Sequence, residues 1–227
     1  MRILVIKAGT NDPSNSSYLA DEFVNGIRLF ENKTEIDIAR LKDLHINHFT
    51  LENYKENCME EGDFLNIKKL ILSSDAVVIS SPIWNFSVPA HLKNLIDRIG
   101  SFALDSAERS KGTLGGKPFY LIFTGGSSMA ILKTIMKRTV SSVPQSIRYF
   151  GGSVSGMHFE PRCAVKKGVF GLVVDKRPKS IAMIRRKGAK FAAVVEYFSK
   201  NSKLPPSGNF WRKCYEFGRA VYQSTVK

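Results

Sequence analysis

Three short stretches of this sequence gather side chains that could do chemistry. Gly9-Thr-Asn-Asp-Pro-Ser-Asn15 runs into Ser16 and Ser17, so Thr10, Ser14, Asn15, Ser16 and Ser17 set five short polar groups just ahead of a helix. Hydroxyl and amide donors, free backbone N–H groups and the positive end of a helix dipole together suit a phosphate without any lysine or arginine. Each charge-assisted bond of that kind contributes roughly 1.5–3 kcal/mol. The same residues equally make a capped Asx/Ser turn. In the second stretch, Pro82-Ile83-Trp84-Asn85-Phe86 places two aromatic rings around an amide. Such a loop can lay a wall against a flat heteroaromatic ring while its amides bond the polar rim, or it can simply pack on a neighbouring helix. The third stretch, Thr124-Gly125-Gly126-Ser127, combines glycines that permit close backbone approach with hydroxyls that can reach a ring edge. Alone it is a turn.

Other chemistries are excluded by spacing. No GxGxxG follows the first apolar run, where Gly9 stands alone. Gly112 to Lys117 is one residue short of a phosphate-binding P-loop and has Pro118 where a magnesium-holding hydroxyl belongs. Cys58, Cys163 and Cys214 lie far apart without a CxxC, which predicts reduced structural thiols and neither a disulfide framework nor a zinc site. His45 and His48 lack a fixed third ligand, so no metal is assigned.

The elements that must position these stretches alternate. Arg2–Lys7 is a branched apolar run, as a buried parallel strand is. Leu19, Phe23, Ile27 and Phe30 then mark a helix. Thr34–Ala39 and Asp75–Ser80 read as strands two and three, with a helix between them ending near Ser73. Pro89 opens a helix with Leu92, Leu95, Ile96 and Ile99 on one side. Lys117–Thr124 predicts a fourth strand, 128–145 a single helix, and Ser153–Phe159 a fifth strand. Right-handed crossovers then place helices on both faces of a parallel sheet. Past Asp175 the pattern is helical: Ile184, Phe191, Val195 and Phe198 line one long helix, and after Pro205-Pro206 a last helix aligns Phe210, Cys214, Phe217 and Val221. The predicted organisation is an α/β domain over 1–175 and a basic helical extension over 176–227.

At 227 residues, 43% of them hydrophobic, the chain has ample material for a core. No apolar run reaches about 18 residues, so no integral membrane segment is expected; the N-terminal residues carry no secretory signal pattern, and the expected location is cytoplasmic. The formal charge of +14 is unevenly spread. Residues 1–110 hold 12 Lys/Arg against 16 Asp/Glu, a net of −4, whereas residues 111–227 hold 22 against 4, a net of +18. The basic half attracts phosphate-rich ligands, acidic proteins, nucleic acid or an anionic membrane, or is a solvated surface.

Taken together, the three loops resemble those of the flavodoxin-like FMN-dependent NAD(P)H reductases, a group of oxidoreductases that includes quinone, azo and free-flavin reductases. The likeness spans about residues 1–160. It rests on Ser14-Asn15-Ser16 with Leu19, on Pro82 to Phe86, on Pro89 followed by Leu92-Lys93-Asn94 and Ile96-Asp97-Arg98, and on Thr124-Gly125-Gly126. The resemblance implies a doubly wound five-stranded sheet in the order 2-1-3-4-5, a tightly bound FMN and a homodimer. It also implies hydride transfer from NAD(P)H, NADPH being favoured by the charge, through the flavin to a small acceptor such as a quinone, azo compound, flavin or ferric complex. No protein acid or base is required, so no catalytic side chain is assigned. Thr10 and Ser14 to Ser17 are the implied phosphate ligands. Pro82, Ile83, Trp84, Asn85 and Phe86 border the ring, with Thr124, Gly125, Gly126 and Ser127 at its opposite rim. Donor and acceptor sharing one open face implies ping-pong kinetics. Asp12 departs from the pattern, because its charge opposes a phosphate. A related iron-sulfur branch carries a compact cysteine motif, but His45 to Asp63 retains only Cys58. The rival readings are a flavodoxin-type electron carrier, usually acidic, and a binding module whose basic half, with Trp211, Tyr215 and Tyr222, meets an anionic partner. Nucleic acid is not favoured, since those aromatics lie near an apolar helix side.

Overall fold

The computed structural model describes residues 1–55, 58–107, 109–166, 169 and 171–206. Five parallel strands, β1 (Arg2–Lys7), β2 (Glu35–Arg40), β3 (Ala76–Pro82), β4 (Pro118–Thr124) and β5 (Ser153–Glu160), pair in the order β2-β1-β3-β4-β5. This is the expected flavodoxin-like sheet. Order reverses between β1 and β3, which pair from Ile3↔Ala76 to Lys7↔Ser80, so the loops leaving these two strands diverge and open a crevice at their carboxyl ends.

One face of the sheet carries α2 (Gly62–Ser73), α3 (Ala90–Ala103) and α6 (Ser142–Tyr149). There Leu92, Leu95, Ile96 and Ile99 bury against Val77, Ile79, Leu121 and Phe123. The other face carries α1 (Asn15–Phe30) and α7 (Pro178–Asn201). Leu19, Phe23 and Ile27 of the first helix meet Ile184, Phe191 and Val195 of the last over Val5, Val78 and Ile122. The Phe23 ring lies 4.4 Å from Tyr120 and 5.7 Å from Phe191. Phe30, expected in the stripe, is exposed at the end of its helix. The two helices approach at glycines: a Cβ on Gly26 would stand 2.0 Å from the Arg185 carbonyl oxygen, and one on Gly188 2.1 Å from that of Phe23. Thus α7, the first helix of the expected extension, completes the α1 layer. The helix expected around Phe210, Cys214, Phe217 and Val221 lies outside the described residues, as do Trp211, Tyr215 and Tyr222.

The single helix expected over 128–145 is a correction. The chain forms α4 (Met129–Ile131), a π-helical turn over Leu132–Met136 and α5 (Lys137–Thr139), turns at Val140 and restarts as α6. Pro144 is the reason. It lacks an N–H, and its ring would meet the carbonyl of Val140 inside a continuous helix, whereas the first turn of a new helix accepts it.

The resembling segment on α3 also has a structural task. Asn94 donates to the carbonyls of Ile46 and Asn47 and accepts from the Phe49 N–H. One turn later the fully buried Arg98 forks onto Glu61 at 3.0 and 2.8 Å and donates to the Asn47 carbonyl. These bonds pin the long β2–α2 connection to α3, and the guanidinium holds the Glu61 carboxyl below the usual carboxylate range.

Candidate functional site

The three chemistry-bearing loops meet. Gly9, Asn11, Ser14 and Asn15 from the loop after β1, Pro82 to Trp84 after β3, and Thr124 to Gly126 after β4 line one open crevice, together with Cys163. Parallel strands all end at the same edge, so the topology alone brings these turns together.

Ser14 sits in extended backbone as the N-cap of α1. Its hydroxyl accepts from the Ser17 N–H and lies 3.1 Å from the Ser16 hydroxyl. Backbone donors of the first turn point out of the helix end beside them. A Cβ on Gly9 would fall 2.3 Å from the Ser14 oxygen and 2.9 Å from that of Ser16, so only glycine lets the loop close over these hydroxyls. Ser80 lies at the end of β3 in register with Lys7; its fully buried hydroxyl is without a partner. Asp12, the residue that opposes an anion, is exposed and pairs with Lys42 at 3.4 Å. Thr10 is exposed and is not among the residues lining the crevice. The donor set fits a phosphate.

Asn15 has a different task from the expected one. Its amide donates to the Gly171 carbonyl at 2.7 Å and accepts from the Val173 and Val174 N–H groups at 2.9 and 3.2 Å. The side chain therefore ties the start of α1 to the segment entering α7, leaving its backbone N–H for a ligand. Asn15→Ala strands two half-buried N–H groups and is expected to cost about 2–3 kcal/mol, read as a lower denaturant midpoint with an unchanged slope.

After β3 the chain makes a two-residue hairpin: Trp84 and Ser87 exchange N–H···O bonds of 2.8 Å across Asn85 and Phe86, at φ 47° and 66°. Consecutive left-handed residues give the tight turn a right-twisted pair of strands needs. Asparagine adopts this readily, whereas Phe86 pays on the order of 1 kcal/mol. Trp84 is half-buried against the crevice; Asn85 and Phe86 project at the exposed tip, outside its lining. On the opposite wall a Cβ on Gly125 would meet Leu132 at 2.7 Å. The Gly125 carbonyl accepts from the Cys163 N–H and the Ser127 carbonyl from Arg162, so the β4 and β5 turns are laced together. Sequence reasoning missed Gly9, Asn11 and Cys163. Cys163 lies just beyond the end of β5, at the same sheet edge, and that position was its signal. Burial pushes its thiol up to about 12, so it lines the crevice as a protonated thiol that donates to the Glu160 and Pro161 carbonyls.

Beneath this wall is a buried ionic network. His158 bonds Glu160 at 3.1 Å, Lys187 bonds the other imidazole nitrogen at 2.9 Å, and Arg177 and Ser180 donate to Glu160 at 3.0 and 2.9 Å. Lysine only donates, so Nδ1 of His158 accepts and Nε2–H donates to the carboxylate. Burial drives the Glu160 carboxyl up, but the bonds from His158, Ser180 and Arg177 outweigh it and hold the group below 4.5. A carboxyl depressed in the folded state contributes stability that is complete above its unfolded value and is lost as pH falls through the folded one. Glu160→Gln is therefore expected to lower stability at neutral pH and to flatten the acid limb below about 4.5, measured by denaturant midpoints across the acid range.

Among the described residues no three His, Cys, Asp or Glu side chains gather as metal ligands, and no helix is long and apolar enough to cross a membrane.

Comparison with known proteins adds a family. Residues 1–142 match the family described as NADPH-dependent FMN reductase. An FMN-dependent NADH:quinone oxidoreductase of Clostridium botulinum (strain Eklund 17B / Type B) is 25% identical over 174 residues, covering 65% of this chain and 80% of that protein. Among solved structures, the NAD(P)H:quinone oxidoreductase from Methanothermobacter marburgensis superposes with a TM-score of 0.66 at 18% identity, covering 84% of this chain and 96% of the other. An FMN-dependent NADH-azoreductase from Bacillus anthracis str. Ames Ancestor, solved in complex with FMN, gives 0.62 at 18% identity, with 85% and 98% covered. At such identities the structural likeness speaks for the fold.

Proposed function

The chain belongs to the NADPH-dependent FMN reductase family and is an FMN-dependent NAD(P)H oxidoreductase; from that premise we propose that the strand-end crevice seats FMN and that electrons pass from NADPH to a small quinone-like acceptor. FMN, held there, would supply the hydride chemistry between the nicotinamide and the acceptor. The observation that carries this reading is the convergence of Ser14, Trp84 and Gly125, from three separate turns, on one crevice.

The residues divide the work. Ser14, Ser16 and Ser17, with the first-turn N–H groups of α1 and the helix dipole, hold the phosphate. Thr10 closes the outer side of that loop, and Asn15 contributes its backbone N–H while its amide keeps the helix start in place. Pro82, Ile83 and Trp84 wall the ring and exclude water from one side; Asn85 and Phe86 meet its outer edge. Thr124, Gly125, Gly126 and Ser127 approach the opposite rim. Residues 1–175 supply all of these groups, and 176–227 form the basic extension.

The donor is read as NADPH because the half of the chain that follows Lys111 is strongly basic and favours the more anionic nucleotide; the Clostridium botulinum relative is named for NADH. The assembly is read as a homodimer working in the cytoplasm, where reduced nicotinamides are replenished and the free Cys58 and Cys163 stay reduced. The test is direct. The purified protein is expected to be yellow, or to turn yellow with added FMN, and NADPH is expected to bleach it without oxygen faster than NADH. Colour without bleaching by either nucleotide assigns an electron carrier, and a colourless protein that refuses FMN removes the proposal. Sedimentation at equilibrium reads the dimer.

A further inference from the structure

Between Lys111 and Val174 the sequence contains one acidic residue, Glu160, and that carboxylate is buried and bonded to His158, Arg177 and Ser180. The surface built from this stretch therefore carries cations without carboxylates among them. Two parts of it stand at the crevice. The helical segment Met129–Thr139 leaves the β4 turn directly, its buried Leu132 in contact with Gly125. The residues after β5 lie against that same turn, through Arg162 N–H to the Ser127 carbonyl and Ala164 beside Gly126.

Both parts expose apolar side chains between the cations. With Leu132 turned inward, Ile131 and Ile135 are 41% and 53% exposed, one turn apart, flanked by exposed Lys133, Lys137 and Arg138. Val165 and Val169, joined by a 3.0 Å bond from the Val165 N–H to the Val169 carbonyl, are 57% and 38% exposed, with Arg162 and Lys166 beside them. Exposed apolar residues occur elsewhere on the chain, at Leu29, Ile38 and Leu51, but there Glu31, Asp37 and Glu52 accompany them.

Apolar tips among cations, free of carboxylates, form the pattern of a surface that settles into an anionic lipid interface: the side chains enter the acyl boundary and the cations meet headgroups. A phosphodiester backbone would satisfy the cations and leave Ile131, Ile135 and Val165 in water. A second copy fits less well, because a two-fold contact sets the patch against itself, cation to cation. We propose that this rim, formed by Met129–Thr139 with Arg162, Val165, Lys166 and Val169, docks the enzyme on an anionic bilayer and turns the crevice toward acceptors dissolved in the lipid. The purpose of the docking rests on the reductase reading; the docking itself does not.

The full-length, FMN-loaded protein is tested by co-sedimentation with phosphatidylcholine vesicles with and without phosphatidylglycerol. It is expected to pellet with the anionic vesicles and to be released by salt. Each surface cation contributes about fivefold to such partitioning, so Lys133→Gln with Lys137→Gln is expected to weaken it roughly 25-fold. Ile131→Ser with Ile135→Ser is expected to weaken it too, with salt dependence retained. All these positions are exposed, so folding and turnover of a water-soluble quinone at saturating NADPH should be unchanged, while reduction of a quinone held in anionic vesicles falls. Equal partitioning to both vesicle types, or anionic binding that ignores these substitutions, overturns the proposal. So does a dimer that dissociates on the same substitutions while vesicles are ignored, which would assign the rim to a second copy. Failure to bind FMN strikes the reductase reading instead, and is scored separately by colour.

Discussion

Gly26→Ala is expected to lower the unfolding free energy by about 3 kcal/mol or more, against the usual sign for a glycine in a helix. Helix propensity alone would make alanine better by about 1 kcal/mol at this interior position of α1. The close approach of α7 reverses that, because the new Cβ would lie 2.0 Å from the Arg185 carbonyl oxygen and 2.7 Å from its Cα. These are main-chain atoms, which cannot rotate away as a side chain can. The helices would have to separate, prying Phe23 and Phe191 from Tyr120. Gly62→Ala is the control: it opens α2 with nothing within 4 Å of the new Cβ, so its effect should stay within about 0.5 kcal/mol. Urea midpoints of both variants decide the matter, and a stabilised Gly26→Ala would show that the two helices do not touch as described.

Gly9→Ala is expected to weaken FMN binding about 100-fold while leaving the apoprotein folded. The added methyl would meet hydroxyl oxygens of Ser14 and Ser16, at 2.3 and 2.9 Å. Both side chains can rotate, so the fold survives. Their rotation removes them from the phosphate loop, and one or two charge-assisted bonds at roughly 1.5–3 kcal/mol each correspond to a loss near two orders of magnitude. Ser14 also gives up its bond to the Ser17 N–H, so helix stability falls by about 1 kcal/mol. Quenching of flavin fluorescence on titration with apoprotein measures the affinity. Unchanged binding would mean that the phosphate is held elsewhere.

The parallel sheet was legible because β1, β3 and β4 are buried on both faces, which forces near-continuous runs such as Ile3 to Ile6 and Phe119 to Phe123. The loop cluster followed from it, since parallel strands deliver their carboxyl ends to one edge. What stayed hidden depends on where α7 lies. Nothing local to Asn15 reveals that its amide reaches Gly171, Val173 and Val174; a short polar residue before a helix reads as a ligand or a cap. Lys187 likewise reaches His158 from another element, and His158 alone within β5 carries no signal. The break at Val140 was legible in principle from Pro144.

The layer shared by the first and last described helices orders events during synthesis. Until Ile184 to Val195 have left the ribosome, Ile3, Val5, Val78 and Ile122 have only half their cover. At roughly 5–20 residues per second the interval between β1 and α7 lasts many seconds. A nascent chain halted there presents a sticky open flank, so translation pauses placed upstream of Pro178 should favour aggregation and call for chaperone shielding.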